Sequence, residues 1–269
     1  MGISMTAQWE NIASNRPSAS PLSVRVYQGE DLPKAPPLVL YLRGGAFLGS
    51  EPGADERPVA RALADTGAVV VEADYSSPSH NAFPEALELA FSALSCLNSR
   101  RKTYGSAKSL LLVVGEEAGG NVAAGVALKA RDLIPGELSG QILLSPMIDP
   151  RMATVSFREA DRIGMRQRWS DGWGRYLSMV GNFAHPYAAL CQCTRLSGLA
   201  PALVLTADND PLRDEAMAYA TRLKKAGVPV TQHSFPASSG WTGIYSDESG
   251  DWLNPLCSQF KSFVENLKH

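Results

Sequence analysis

Glu117 lies in Gly115-Glu116-Glu117-Ala118-Gly119-Gly120, which has the form of a G-x-S-x-G nucleophile elbow with glutamate in the place of serine. A serine at such an apex attacks a carbonyl when a base takes its proton and N–H donors face the developing oxyanion. A glutamate there can act only as a carboxylate nucleophile, as a general acid or base, or as a fixed anion. Gly115, Ala118, Gly119 and Gly120 keep the small-residue frame, so the turn is expected to survive with Glu117 at its apex. Backbone N–H groups opening the helix near Ala118 favour negative charge, so the carboxylate is expected to occupy the oxyanion position itself.

The elements that must hold this turn are readable on both sides of it. Leu110-Leu111-Leu112-Val113-Val114 is an unbroken apolar run of the kind a buried parallel strand carries, and residues 121–131 have the apolar spacing of a helix. Further strands are expected at 38–42, 68–72, 141–144, 202–206 and 228–235, with an edge strand at 23–27. Helices are expected near 57–64, 84–97, 214–226 and 255–267. Strands alternating with helices imply an α/β protein whose mostly parallel sheet is covered on both faces. Residues 1–269 read as one domain without internal repeats, and 1–20 as a polar segment. Residues 151–185 break the alternation and are expected to form a small helical cap insert, carrying Phe157, Met165, Trp169, Trp173, Tyr176, Leu177 and Met179. Placed at the carboxyl ends of the strands, the insert would roof a pocket suited to an apolar or aromatic small molecule; the same side chains could equally just glue the cap to the body.

Several ordered motifs carry a family resemblance from about residue 37 to residue 263. Arg43-Gly44-Gly45-Ala46-Phe47 resembles the HGGGF loop of the hormone-sensitive-lipase-like branch of the α/β-hydrolases. Asp74-Tyr75 with Phe83-Pro84, Leu144-Ser145-Pro146 with Asp149-Pro150, and Pro201 to Ala207 followed by Asp210-Pro211-Leu212-Arg213-Asp214-Glu215 are similar to further motifs of that branch. The resemblance implies the α/β-hydrolase fold. It also implies oxyanion-hole or ligand-binding roles for Arg43, Gly44, Gly45, Ala46, Ala118, Gly240 and Trp241, and places Asp210 at the triad acid.

The departures bear on activity. Glu117 replaces the serine, the register puts Gly240 or Trp241 where the family has its histidine, and His233 falls within a strand. Arg43 replaces the first histidine of the oxyanion loop, Ala46 its third glycine, and Ser76-Ser77-Pro78-Ser79-His80 the segment RLAPE. An Arg43–Glu117 ion pair inside the site would account for two departures at once. His80, Ser238 and Ser239 read as loop residues. Without a histidine an acyl-Glu117 would form once and persist, which argues against turnover by that route.

Three functions remain open: a non-hydrolytic small-molecule binder, as some members with an incomplete triad are; a repurposed lyase, dehydratase or cyclase using Glu117 as acid or base; and weak hydrolysis of an activated ester or lactone by water that Glu117 activates. General-base help alone contributes about 10²–10⁴-fold.

Composition bounds the rest. A chain of 269 residues, 45% hydrophobic and 19% charged, can bury a large core. Its formal net charge of −2 provides no field that would draw nucleic acid or an anionic membrane. No stretch approaches the ~20 apolar residues of a membrane span, and the first 15 residues lack a signal peptide's basic start and apolar run, which points to the cytoplasm. Cys96, Cys191, Cys193 and Cys257 are irregularly spaced and read as reduced thiols, with no metal or cofactor implied. The resemblance leaves a homodimer possible.

Overall fold

A computed structural model describes residues 8–12, 22–49, 55–76, 81–178, 183 and 185–268. Eight strands form one sheet: β1 (Trp9–Ile12), β2 (Leu22–Tyr27), β3 (Leu38–Leu42), β4 (Val69–Ala73), β5 (Leu111–Glu116), β6 (Gly140–Leu144), β7 (Ala202–Ala207) and β8 (Val230–Phe235). Their spatial order is β1-β2-β4-β3-β5-β6-β7-β8. β2 runs antiparallel to both β1 and β4, and every pair from β4 to β8 is parallel. The edge expected at 23–27 is displaced one position inward, because Trp9 pairs with Arg25 and Ile12 with Leu22 to add β1 outside it.

The helices are α1 (Pro58–Ala64), α2 (Glu85–Ser99), α3 (Arg101–Tyr104), α4 (Glu117–Leu133), α5 (Arg166–Tyr176), α6 (Arg213–Lys225) and α7 (Leu253–Asn266). Successive side chains of β5 point to opposite faces. Leu111 and Val113 join the core that packs under α2, α4 and α6, whereas Leu112 and Val114 join the core under α1 and α7. Both faces are covered, which is why the run from Leu111 is apolar throughout instead of alternating. The described residues contain no helix long and apolar enough to cross a membrane, and their four cysteines are free thiols.

Between β6 and β7 the chain leaves the sheet to form the insert, with a short 3-10 turn at Ser156–Asp161 followed by α5. Trp169, Gly172, Trp173 and Tyr176 recur at helical spacing and make up the buried face of α5. That face lies on the loop after β3. A Cβ added to Gly172 would stand 1.6 Å from the Ala46 carbonyl oxygen, so only glycine permits this approach. Phe47 stacks on Tyr176 with ring centroids 4.1 Å apart, and Arg175 Nη1 donates to the Leu48 carbonyl at 2.9 Å.

Candidate functional site

The elbow is built at the junction of β5 and α4. Glu117 has φ +53°, a left-handed conformation that costs a non-glycine residue about 1–3 kcal/mol and persists only where its surroundings enforce it. Enforcement comes from close packing. A Cβ on Gly115 would meet the Gly119 carbonyl at 2.1 Å, and one on Gly119 would meet the Leu42 carbonyl at 2.1 Å. The turn therefore holds α4 directly against β3 and β5 and aims Glu117 at the loop after β3.

The Glu117 carboxylate is 4% exposed and accepts three N–H groups. Gly45 N donates to Oε2 at 2.5 Å and Ala46 N to the same oxygen at 2.8 Å, while Trp169 Nε1 of α5 donates to Oε1 at 2.5 Å. The carboxylate thus sits where the loop's backbone donors converge. Neither Ala118, buried in the first turn of α4, nor Gly44 is among these donors; Gly44 N turns to Glu116 Oε1 at 3.1 Å.

The expected Arg43–Glu117 ion pair is absent from the described residues. Arg43 is buried, but its Nη2 faces Asp74 Oδ1 at 3.5 Å and the Ser76 carbonyl at 3.4 Å. Tyr75 hydroxyl donates to the Arg43 carbonyl at 2.6 Å, which ties this stretch to β4's exit. With backbone N–H groups already at bonding distance, Glu117 has no geometric call on the guanidinium.

At the other end of the site, Asp210 is 1% exposed on the loop after β7. Its Oδ2 accepts the Ser145 hydroxyl, Thr206 Oγ1 at 3.0 Å and Trp241 Nε1 at 3.0 Å. Its Oδ1 accepts Tyr245 hydroxyl at 2.6 Å and Leu212 N at 2.8 Å. The Trp241 indole N–H also donates to Ser145 Oγ at 2.7 Å. Gly240, at φ +76°, turns the chain so that Trp241 enters the core against Phe235 and Trp252; the resemblance's register for the histidine thus falls on an indole that bonds the acid. Burial and the Asp210 charge push the Tyr245 hydroxyl well up, so it remains a donor. His233 pairs with Leu205 in the sheet, Ser238 is exposed, and Ser239 accepts Trp241 N at 3.3 Å. Among the described residues no histidine bonds Asp210 or Glu117. His80 and Met179 lie outside the described residues.

Beside the elbow the described residues form a partly open polar cavity of about 80 Å³, lined by Arg43 to Gly45, Arg57, Glu116, Glu117, Arg168, Ile244, Tyr245 and Asp247. Burial, with the Asp247 charge adding to it, pushes the Glu116 carboxyl up to about 8. Arg57 donates Nη1 to Asp247 and faces Glu72 at 3.5 Å. The cap aromatics do not line this cavity: Phe157, Trp169, Trp173 and Tyr176 are buried in the core, where they glue α5 to the body. Trp169, Glu116, Ser145, Tyr245, Arg57, Arg168 and Asp247 were not singled out as site residues from sequence. Glu116 has one local signal, adjacency to the apex, and Trp169 one as a cap aromatic; the others are brought in by the insert helix and by loops whose paths no short-range pattern encodes.

Comparison with known proteins agrees with this architecture. The family profile described as alpha/beta hydrolase fold matches residues 39–239. The chain is similar to Carboxylesterase NlhH of Mycobacterium tuberculosis, 32% identical over 222 residues covering 80% of this chain and 69% of that protein. It is also similar to the Gibberellin receptor GID1A of Arabidopsis thaliana, 30% identical over 241 residues covering 85% and 68%. Among solved structures, an esterase of Pyrobaculum calidifontis superposes with a TM-score of 0.81 at 29% identity, over 97% of this chain and 86% of that one.

Proposed function

This chain belongs to the α/β-hydrolase fold family, among homologues of the hormone-sensitive-lipase-like esterase type, and from its site we propose a member that binds a small molecule without hydrolysing an ester. The observation that carries the reading is the Glu117 carboxylate held by Gly45 N, Ala46 N and Trp169 Nε1. Ester hydrolysis needs those backbone donors free for the developing oxyanion. Here a carboxylate from the protein spends them. The second support is Trp241, whose N–H binds Asp210 as an imidazole N–H would, but whose indole has no second nitrogen to take a proton.

Similarity alone does not decide between hydrolysis and binding, because one relative of comparable identity is a carboxylesterase and another a receptor. A lyase or dehydratase acting through Glu117 has less support, since that carboxylate is buried under α5 with both oxygens engaged. The test is turnover of p-nitrophenyl acetate and butyrate by the wild type beside Glu117→Gln. Both proteins are expected to match the buffer rate. Wild-type turnover lost in Glu117→Gln would replace this reading with Glu117-driven hydrolysis.

A further inference from the structure

We propose that the polar cavity beside the elbow is a subsite for a small carboxylate, clasped by Arg57 and Arg168 and hydrogen-bonded by the Glu116 carboxyl. The proposal deepens the non-hydrolytic reading and rests on it in one respect: Glu117 stays among the oxyanion-loop donors, so the ligand's carboxylate lies beside it.

The argument runs through which groups on the cavity wall are already satisfied. Glu117 accepts three N–H groups, Asp247 takes the Arg57 Nη1 donor, and the Tyr245 hydroxyl is spent on Asp210. Two guanidinium donors are left over, beside the second Asp247 oxygen. Arg168, on the exposed side of α5, has no hydrogen bond or ion pair among the described residues, and Arg57 Nη2 has no hydrogen bond there. Glu116 accepts Gly44 N on Oε1 and has the Tyr41 hydroxyl as a second hydrogen-bonding neighbour, and burial keeps a proton on its carboxyl up to about pH 8. Two guanidinium groups and one carboxylic O–H can be met together by a single planar anion with two acceptor oxygens. A cavity of about 80 Å³ suits a small buried group such as formate or acetate.

Charge sets the pH signature. Around Glu116 stand Tyr41 of β3, Arg43 on the loop after it, Arg57 ahead of α1, Glu117 of α4, Arg168 of α5, and Tyr245 and Asp247 after β8, and Glu72 of β4 faces Tyr41 and Arg57 behind them. Below about pH 8 Glu116 is a neutral donor to the ligand. Above it, a second buried negative charge faces the anion and repels it.

The experiment is titration of the full chain with acetate, followed calorimetrically from about pH 6 to about pH 9.5, with acetamide as the uncharged shape control. Wild-type affinity is expected to be level at low pH and to fall about tenfold per pH unit above about 8. Glu116→Gln is expected to bind with no such fall, and Arg168→Leu, a surface change that leaves the fold intact, to weaken binding about tenfold. Acetate affinity that is absent, independent of pH, unchanged by Arg168→Leu, or matched by acetamide overturns the subsite. Ester turnover on the same samples separates the two readings: missing acetate binding with background turnover removes the subsite alone, whereas turnover above background removes the non-hydrolytic reading.

Discussion

Each end of this site holds a buried carboxylate closed by a tryptophan N–H, Trp169 on Glu117 and Trp241 on Asp210, yet the two closures differ in origin. Trp241 enters from the turn after β8 and packs against Phe235 and Trp252, within the body of the sheet domain. Trp169 comes from the insert, so the elbow end is sealed only while α5 stays docked on the loop after β3. Asp210 also has five donors, all from the body, against three on Glu117. The acid end is thus part of the fold's core, and the elbow end is the one a ligand or a displaced cap could open.

The comparison makes ordered demands. Asp210→Ala is expected to have the largest effect, about 3–5 kcal/mol, because it strands the buried donors of Ser145, Thr206, Trp241 and Tyr245. Urea denaturation measures it, and a loss below about 1 kcal/mol would break the claim that this end is core.

Next comes pH. Glu116 binds its proton more tightly folded than unfolded, since its carboxyl is raised from 4.5 to about 8. Its contribution is therefore complete below about pH 4.5 and lost as pH rises to about 8, at most ~1.4 kcal/mol per pH unit across that window. Denaturation midpoints of wild type and Glu116→Gln, compared across that range, isolate the slope; parallel curves would contradict it.

Glu117→Gln should cost about 2 kcal/mol, less than the acid end, because its amide N–H₂ confronts donors where the carboxylate accepted them. Trp169→Phe should have the smallest effect on global stability, about 1 kcal/mol, but should raise the rate of proteolysis within the insert selectively. Uniform cleavage across the chain would erase the distinction between the two ends.

Local pattern made the sheet and the elbow legible. The run from Leu111 to Val114 is apolar because both its faces are buried, and Gly115 and Gly119 are glycine because backbone passes within contact of their Cα atoms. The β1 pairing was hidden, since four residues with two exposed positions carry little periodicity. Arg43 was assigned the wrong partner for a different reason. Proximity of two loops in sequence logic said that Arg43 and Glu117 were neighbours, but the direction of a long side chain depends on which backbone donors reach the carboxylate first. The same limit concealed Trp169 and Tyr245, whose roles depend on how an insert and a terminal loop fold back over distant strands.

The claim on which the account turns is that no side chain here is an activated serine nucleophile. Intact-mass analysis after incubation with a fluorophosphonate tests it most directly, beside Glu117→Ser combined with Trp241→His, which would restore a hydroxyl and an imidazole opposite Asp210. The account predicts an unmodified wild type and a single adduct at position 117 in the double variant. A stoichiometric adduct on any serine of the wild-type protein would contradict it.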